Sequence, residues 1–266
     1  MAAIVSVKEL LESGVHFGHP VSRWNPKMKP YIYGKRNLIH IIDLKRTVEG
    51  LVRGYHFLSR LAARGDLVLF VGTKKQGKIV IEREAQRVGM PYVSERWIGG
   101  TLTNFHVIRT RLNRLLEIER METDGTMDLY TKKERANLQR EKRKLKRNLD
   151  GIRNMERLPG AMVIVDPRRE KIALTEATRM GIPTVSLIDT DGNPELVDVP
   201  IPGNDDAMRV IQIIIGRLAD AIAEGRGNMA QAAEVRAKAQ ATAKAEAPPA
   251  APKGEAGPAG SGSTAS

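Results

Sequence analysis

Leu67-Val68-Leu69-Phe70-Val71-Gly72-Thr73 decides the fold: an apolar run without alternation passes straight into a glycine turn. A strand wetted on one side alternates, so an unbroken run belongs in a parallel sheet covered on both faces. Helical spacing follows at once through Ile79, Val80 and Val88. Pro91-Tyr92-Val93, Ala161 to Val165, Thr184 to Ile188 and Val197 to Ile201 read as further short strands. Asp166-Pro167 supplies a cap and a first-turn proline for a helix through Ala173 and Ala177, ended by Gly181. Asn204 reads as the cap of a helix from Asp205 to Glu224. Upstream, Leu38 to Ile42 is a strand, and Asp43 caps a helix with Val48, Leu51, Val52, Tyr55, Leu58 and Leu61 on one face. Ser6 and Glu9 frame a capping box for a first helix, Val7 to Ser13. Strands alternating with helices predict an α/β protein, a doubly wound parallel sheet in three αβα layers.

One stretch interrupts the alternation. From Phe105, the apolar residues Ile108, Leu112, Leu115 and Ile118 make a single narrow seam on a charged helix. Leu138, Leu145 and Ile152 fall seven apart, with Leu149 between the last two, so the second helix follows a heptad. Thr123-Asp124-Gly125-Thr126 is a turn, and Thr131 with Glu134 makes a capping box. Residues 105–158 therefore read as an antiparallel coiled-coil hairpin inserted in one crossover of an α/β domain made of residues 1–104 and 159–225. After Gly225, Ala, Gly, Pro, Ser and Thr dominate, so 226–266 is expected to be a disordered tail, transiently helical to about Ala247.

The hairpin is basic. Between Thr131 and Leu149, nine cations (Lys132, Lys133, Arg135, Arg140, Lys142, Arg143, Lys144, Lys146, Arg147) face only Glu134 and Glu141, a net of +7 out of +12 for the chain. A helix lacking acids to pair with its cations repels itself unless a polyanion neutralises it, and phosphate backbone is the commonest such partner. A second basic segment runs from Pro20 to Arg46, where Arg23, Lys27, Lys29, Lys35, Arg36, Lys45 and Arg46 meet Asp43 alone. Trp24, Tyr31 and Tyr33 are threaded through it, and its prolines predict an extended, loop-like arm with both tyrosines as anchors on the core. Cations beside aromatic faces suit a nucleic-acid backbone with splayed bases.

Gly72-Thr73-Lys74-Lys75-Gln76-Gly77-Lys78 matches the phosphate-cradling loop G-x-x-x-x-G-K in the required strand-to-helix context. Ala161 to Asp166 matches the strand and acid that hold magnesium in nucleotide hydrolases. The competing reading is therefore a P-loop nucleotide-binding protein using Gly72 to Lys78. Against it, Ile79 stands where the motif needs a hydroxyl for magnesium. No catalytic triad stands out. His16 and His19, in Val15-His16-Phe17-Gly18-His19-Pro20, lack a third ligand nearby, so no metal and no cofactor are assigned. That stretch is too rich in Gly and Pro to read as a regular element.

Composition sets the remaining bounds. The chain has 266 residues and no Cys, which excludes disulfides and thiolate metal sites. Its isoelectric point near 10.0 fits a polyanion binder. Aromatics at 4% argue against rows of stacking platforms for single strands. No long apolar window or signal peptide is found, so a soluble, intracellular protein without membrane contact is expected.

Several stretches together resemble the bacterial small-subunit ribosomal protein S-two family. They are Leu10 to His19, Trp24-Asn25-Pro26-Lys27-Met28-Lys29-Pro30, Phe70 to Lys74, Arg96-Trp97-Ile98-Gly99-Gly100-Thr101-Leu102-Thr103-Asn104, Leu158 to Glu176, Gly181-Ile182-Pro183 and Ile201 to Ala207. The likeness spans roughly residues 5 to 225 in unbroken order. It implies a flavodoxin-like sheet with a projecting hairpin and no enzymatic activity. It implies a cytoplasmic place in the small ribosomal subunit near the head-body junction, contacts to 16S ribosomal RNA and neighbouring proteins, and help in docking ribosomal protein S-one. No small-molecule substrate is implied. The RNA-binding candidates are Arg23, Trp24, Lys27, Lys29, Lys35, Arg36, Lys74, Lys75, Arg96, Lys132, Lys133, Arg140, Arg143, Lys144, Lys146 and Arg147.

Overall fold

The computed structural model describes residues 5–245, with side chains as far as Met229. Residues up to Met229 form one compact unit that includes the hairpin. Helix α1 (Val7–Ser13) starts at Ser6, whose side chain accepts from Glu9 N, and ends at Gly14 in the left-handed conformation (φ 81°). Strands β1 (Phe17–Pro20), β2 (Ile32–Arg36) and β3 (Ile39–Ile42) then make a small antiparallel sheet in the order β1-β3-β2. The expectation of an irregular His-Gly-Pro segment and an extended arm is thus corrected. Strand pairing satisfies the backbone there, and two short 3-10 turns, Val21–Arg23 and Pro26–Tyr31, absorb the prolines. Leu38 is not in the strand, because Asn37 and Leu38 both take positive φ (49° and 62°) in the two-residue turn joining β2 to β3.

Helix α2 (Leu44–Ala62), capped by Asp43, leads into the main sheet of β4 (Val68–Val71), β5 (Tyr92–Val93), β6 (Ala161–Val165), β7 (Thr184–Ile188) and β8 (Val199–Pro202). All neighbours are parallel and the order is β5-β4-β6-β7-β8. Counted from β4, this is the 2-1-3-4-5 order of flavodoxin-like sheets. Pleating sends Val68 and Phe70 to one core with α2, α3 (Lys78–Arg87) and α7 (Met208–Ala245). Leu69 and Val71 join the opposite core, with α6 (Lys171–Met180) and the root of the hairpin α4 (Phe105–Thr123) and α5 (Lys132–Leu149). Three αβα layers result.

The β7 to β8 connection is a single 3-10 turn, Pro194–Leu196, so α2 covers the β8 edge instead. The approach is close: a Cβ on Gly50 would lie 2.4 Å from Pro200 O, and Thr47 Oγ1 donates to Pro202 O at 2.6 Å. Prolines 200 and 202 on the edge strand further discourage strand addition.

The apolar positions of the two hairpin helices are divided between the sheet and the hairpin itself, not confined to one seam. Ile108, Leu112, Leu149 and Ile152 join the core under the sheet, whereas Leu115, Ile118 and Met127 are buried outside that core, in the hairpin's own seam. Thr131 and Glu134 form the full capping box. Arg109 to Met155, Glu119 to Arg153, Glu122 to Lys142 and Asp128 to Arg135 pair in descending order, which fixes the two helices as antiparallel.

Two local expectations are overturned. Asp166 does not cap α6; it takes φ 62° in a turn, and the helix begins four residues after Pro167, behind Glu170. Asn204 Oδ1 accepts from Asp206 N and Ala207 N in a turn of its own, delaying α7 to Met208. Helix α7 continues past Gly225 to Ala245, within the stretch expected to have helical character to about Ala247; residues 246–266, the rest of the expected tail, lie outside the described residues.

Candidate nucleic-acid interface

Seven of the nine cations on α5 (Lys132, Lys133, Arg140, Arg143, Lys144, Lys146 and Arg147) are exposed. The salt bridges of the described residues include none of these seven. The other two are spent within the hairpin, Arg135 on Asp128 at 3.0 Å and Lys142 on Glu122. At 100° per residue, the seven fall within an arc of roughly 160°, opposite Leu138, Leu145 and Leu149. The heptad that turns the leucines toward α4 therefore turns the free cations to solvent as one continuous face.

Arg23, Lys27, Lys29, Lys35 and Arg36 are exposed on the antiparallel sheet and its turns. Lys27 is engaged by Glu195. Trp24 is half-buried with its ring 5.1 Å from that of His40, so it serves as an anchor as well as a candidate contact. Tyr31 is half-buried, but Tyr33 is 82% exposed, which corrects its expected role as an anchor. Lys75 and Arg96 are exposed on loops at the C-terminal ends of β4 and β5.

Lys74 is the correction among the candidates. It is only 9% exposed, and its Nζ lies 2.6 Å from Asp205 Oδ1, 2.7 Å from Asp206 Oδ1 and 3.6 Å from Asp166 Oδ2. Burial favours the neutral amine, but the hydrogen bonds to Asp205 and Asp206 outweigh it and raise the pKa. Burial, with Asp166 nearby, pushes the Asp205 carboxyl up to about 7. Lys74 is thus directed inward, with no face left for a phosphate.

The rest of the nucleotide-loop motif is consumed in the same way. Thr73 donates both its N–H (2.9 Å) and its hydroxyl (2.5 Å) to Glu170 Oε1, and Lys78 is bound by Glu95. A Cβ on Gly72 would meet Ile81 Cδ1 at 2.3 Å, so that glycine serves helix packing. In doubly wound sheets ligands bind in the crevice beyond the strand ends, where strand order reverses. Here that crevice is occupied by the protein's own ion pairs.

His19 joins this cluster from β1. Its Nδ1 sits 2.9 Å from Asp189 Oδ2 and its Nε2 3.6 Å from Asp206 Oδ2, and the bond to Asp189 raises its pKa to about 9. His16, by contrast, has its pKa lowered by burial. The fold therefore gathers His19 with Asp205 and Asp206, not with His16; the three offer donor atoms within 4.8 Å of one another, a spacing a cation could use.

Sequence reasoning missed Glu176 as a site residue. This buried carboxylate on α6 accepts from Trp97 Nε1, Gly100 N, Leu102 N and Thr103 N, at 2.8 to 3.2 Å. Burial alone would raise its pKa, yet these donors hold it below the usual carboxylate range. An acid at a core-facing position of α6 was the available signal.

A flavodoxin-like domain whose strand-end crevice is filled by its own ion pairs, carrying a hairpin with one free cationic face, defines the class: an α/β scaffold that displays cations. Comparison with known sequences gives the family. The model of the family described as "Ribosomal protein S2" matches residues 10–225. A protein of Rhodopirellula baltica named "Small ribosomal subunit protein uS2" is 53% identical over 233 residues, covering 88% of this chain and 90% of that protein. One of the same name from Syntrophobacter fumaroxidans is 54% identical over 224 residues, covering 84% and 82%. The chain belongs to the ribosomal protein S2 family. It is a structural, non-enzymatic constituent of the small ribosomal subunit and acts in translation, in the cytoplasm with the ribosome. Among the described residues, no helix is long and apolar enough to cross a membrane.

Proposed function

We propose that this chain binds 16S ribosomal RNA through the outer face of α5, with Arg96, Lys75 and the exposed cations Arg23, Lys29, Lys35 and Arg36 supplying further phosphate contacts near the head-body junction. The observation that carries this reading is the row of seven exposed cations on one helix face, none held by a carboxylate. Cations left without acids repel one another, and a folded RNA backbone relieves that repulsion while fixing register. Recognition is of shape and phosphate rather than sequence. The test is 16S RNA affinity as a function of salt. Several phosphate contacts make affinity fall steeply from low to physiological salt, and a flat dependence contradicts the reading.

A second element of the role is help in docking ribosomal protein S-one. Tyr33 (82% exposed), Leu38 (79%) and Phe17 (47%) are apolar side chains displayed on and around the small antiparallel sheet, apart from the hairpin. Where such side chains form one contiguous patch they offer a partner protein an apolar docking face. Tyr33→Ser is expected to weaken capture of S-one while leaving RNA affinity unchanged; equal capture by both proteins counts against it.

A further inference from the structure

We infer that Glu176 is a positioning residue for RNA binding: by clamping the loop at the hairpin root, it sets the direction in which the cationic hairpin leaves the sheet. The inference rests on the RNA-binding reading above. The loop from Trp97 to Asn104 joins β5 to α4 and contains no helix or strand. Asn104, at the N-cap of α4, makes no side-chain capping bond, so no polar contact of its own sets the first turn of the hairpin. It is fixed from another layer. Glu176 Oε1 accepts from Trp97 Nε1 at 3.0 Å and Gly100 N at 2.8 Å, and Oε2 accepts from Leu102 N at 2.9 Å, Thr103 N at 3.2 Å and Thr103 Oγ1 at 3.3 Å.

The loop is therefore wrapped around an anion that α6 delivers, and Glu176 is only 6% exposed. Convergent amides around one carboxylate hold a loop through charge-assisted bonds, about twice as strong as neutral ones. Among the described residues no other side chain bonds this loop from another layer: its remaining hydrogen bonds, Thr101 N and Oγ1 to Ile98 O and Asn104 N to Gly100 O, are internal, so beside Glu176 only the non-directional packing of Trp97, Leu102, Ile108 and Leu112 in the core acts on its direction. Arg96 lies at one end of the loop and the hairpin at the other. The body and hairpin cations can engage one folded RNA together only if the clamp keeps their relative placement. Two binding surfaces held in register gain through effective concentration, and a loosened root forfeits that gain without removing any cation.

The test uses the full chain. It has no Cys, so Asp124→Cys near the hairpin tip and Arg53→Cys on α2 accept spin labels selectively. Distance distributions are measured with Glu176, with Glu176→Gln and with Trp97→Phe, which removes the indole N–H donor and keeps a smaller aromatic ring. The expected result is a broadened or shifted distribution for both variants, larger for Glu176→Gln. For 16S RNA, an affinity loss of roughly tenfold is expected for Glu176→Gln and less for Trp97→Phe. A role in stability alone would lower the melting temperature and leave the distribution and affinity of the folded protein unchanged, which overturns the inference. Should Glu176→Gln fail to fold, Trp97→Phe decides by the same two readouts. Should the parent protein bind no RNA, the RNA-binding reading fails, while the distances still report separately whether Glu176 orients the hairpin.

Discussion

Removing the buried cation of the crevice is the sharpest test of the statement that this fold has filled its own ligand site. Lys74→Met keeps the length of the side chain and deletes a charge that touches Asp205 and Asp206 at 2.6 and 2.7 Å and lies 3.6 Å from Asp166. At an effective dielectric constant near 20, each short ion pair is worth about 6 kcal/mol before desolvation. Most of that is returned as the cost of burying the charges. What remains when one partner of a buried pair is deleted is about 3–5 kcal/mol, because the carboxylates are left uncompensated. For a domain of this size that is a fall in Tm of roughly 10 °C. The deficit depends on pH with a definite sign. Asp205 is already raised to about 7 beside Lys74, and losing that charge raises it further, so the variant gains more stability than the parent as pH falls from 8 to 5 and the deficit shrinks. Thermal melts of parent and variant at both pH values read this directly. RNA affinity below the melting range should not change, since Lys74 faces inward. A variant as stable as the parent at pH 8, or one that lost a phosphate's worth of salt dependence, would refute the reasoning.

Other outcomes follow from the same geometry. Replacing Arg140, Arg143, Lys144 and Arg147 together by Gln should lower the slope of log K against log salt by roughly 0.7–0.9 for each phosphate no longer neutralised, with Tm little changed, as read by filter binding across a salt series. Gly50→Ala should cost about 1–3 kcal/mol in a urea titration, since its Cβ would meet Pro200 O at 2.4 Å. Gly216→Ala, in the interior of α7 with nothing within 4 Å of the new Cβ, should instead add about 0.5–1 kcal/mol. His19 has a folded pKa of about 9, above its ordinary 6.5, so its contribution is complete below pH 6.5 and lost as pH rises toward 9. His19→Asn should therefore flatten the decline of Tm over that interval.

Much of this architecture was legible because it is periodic. The unbroken run Leu67 to Val71, the three- and four-residue steps of Ile108, Leu112, Leu115 and Ile118 and the Thr131–Glu134 box each encode a local rule that the fold keeps. The failures share a different cause. The segment around His16 to Pro20 looked irregular because strand pairing with β3 is a long-range fact that local Gly and Pro content does not reveal. Asp166 looked like a cap because Asp-Pro usually is one, but its carboxylate lies in the Lys74 cluster and its backbone turns the other way. Lys74 looked like an RNA-binding residue because sequence shows charge and not direction; its three carboxylates come from positions 166, 205 and 206, far along the chain. The hairpin cations were legible because their free state follows from composition alone, there being too few acids beside them.

The central claim, that the free cationic face of α5 grips folded ribosomal RNA, is tested most directly by the salt dependence of 16S RNA binding in the full chain and in the chain with the four Gln replacements. The account predicts a steep loss of affinity with salt for the parent and a shallower slope for the variant. Parallel slopes, with equal affinities at every salt concentration, would contradict it.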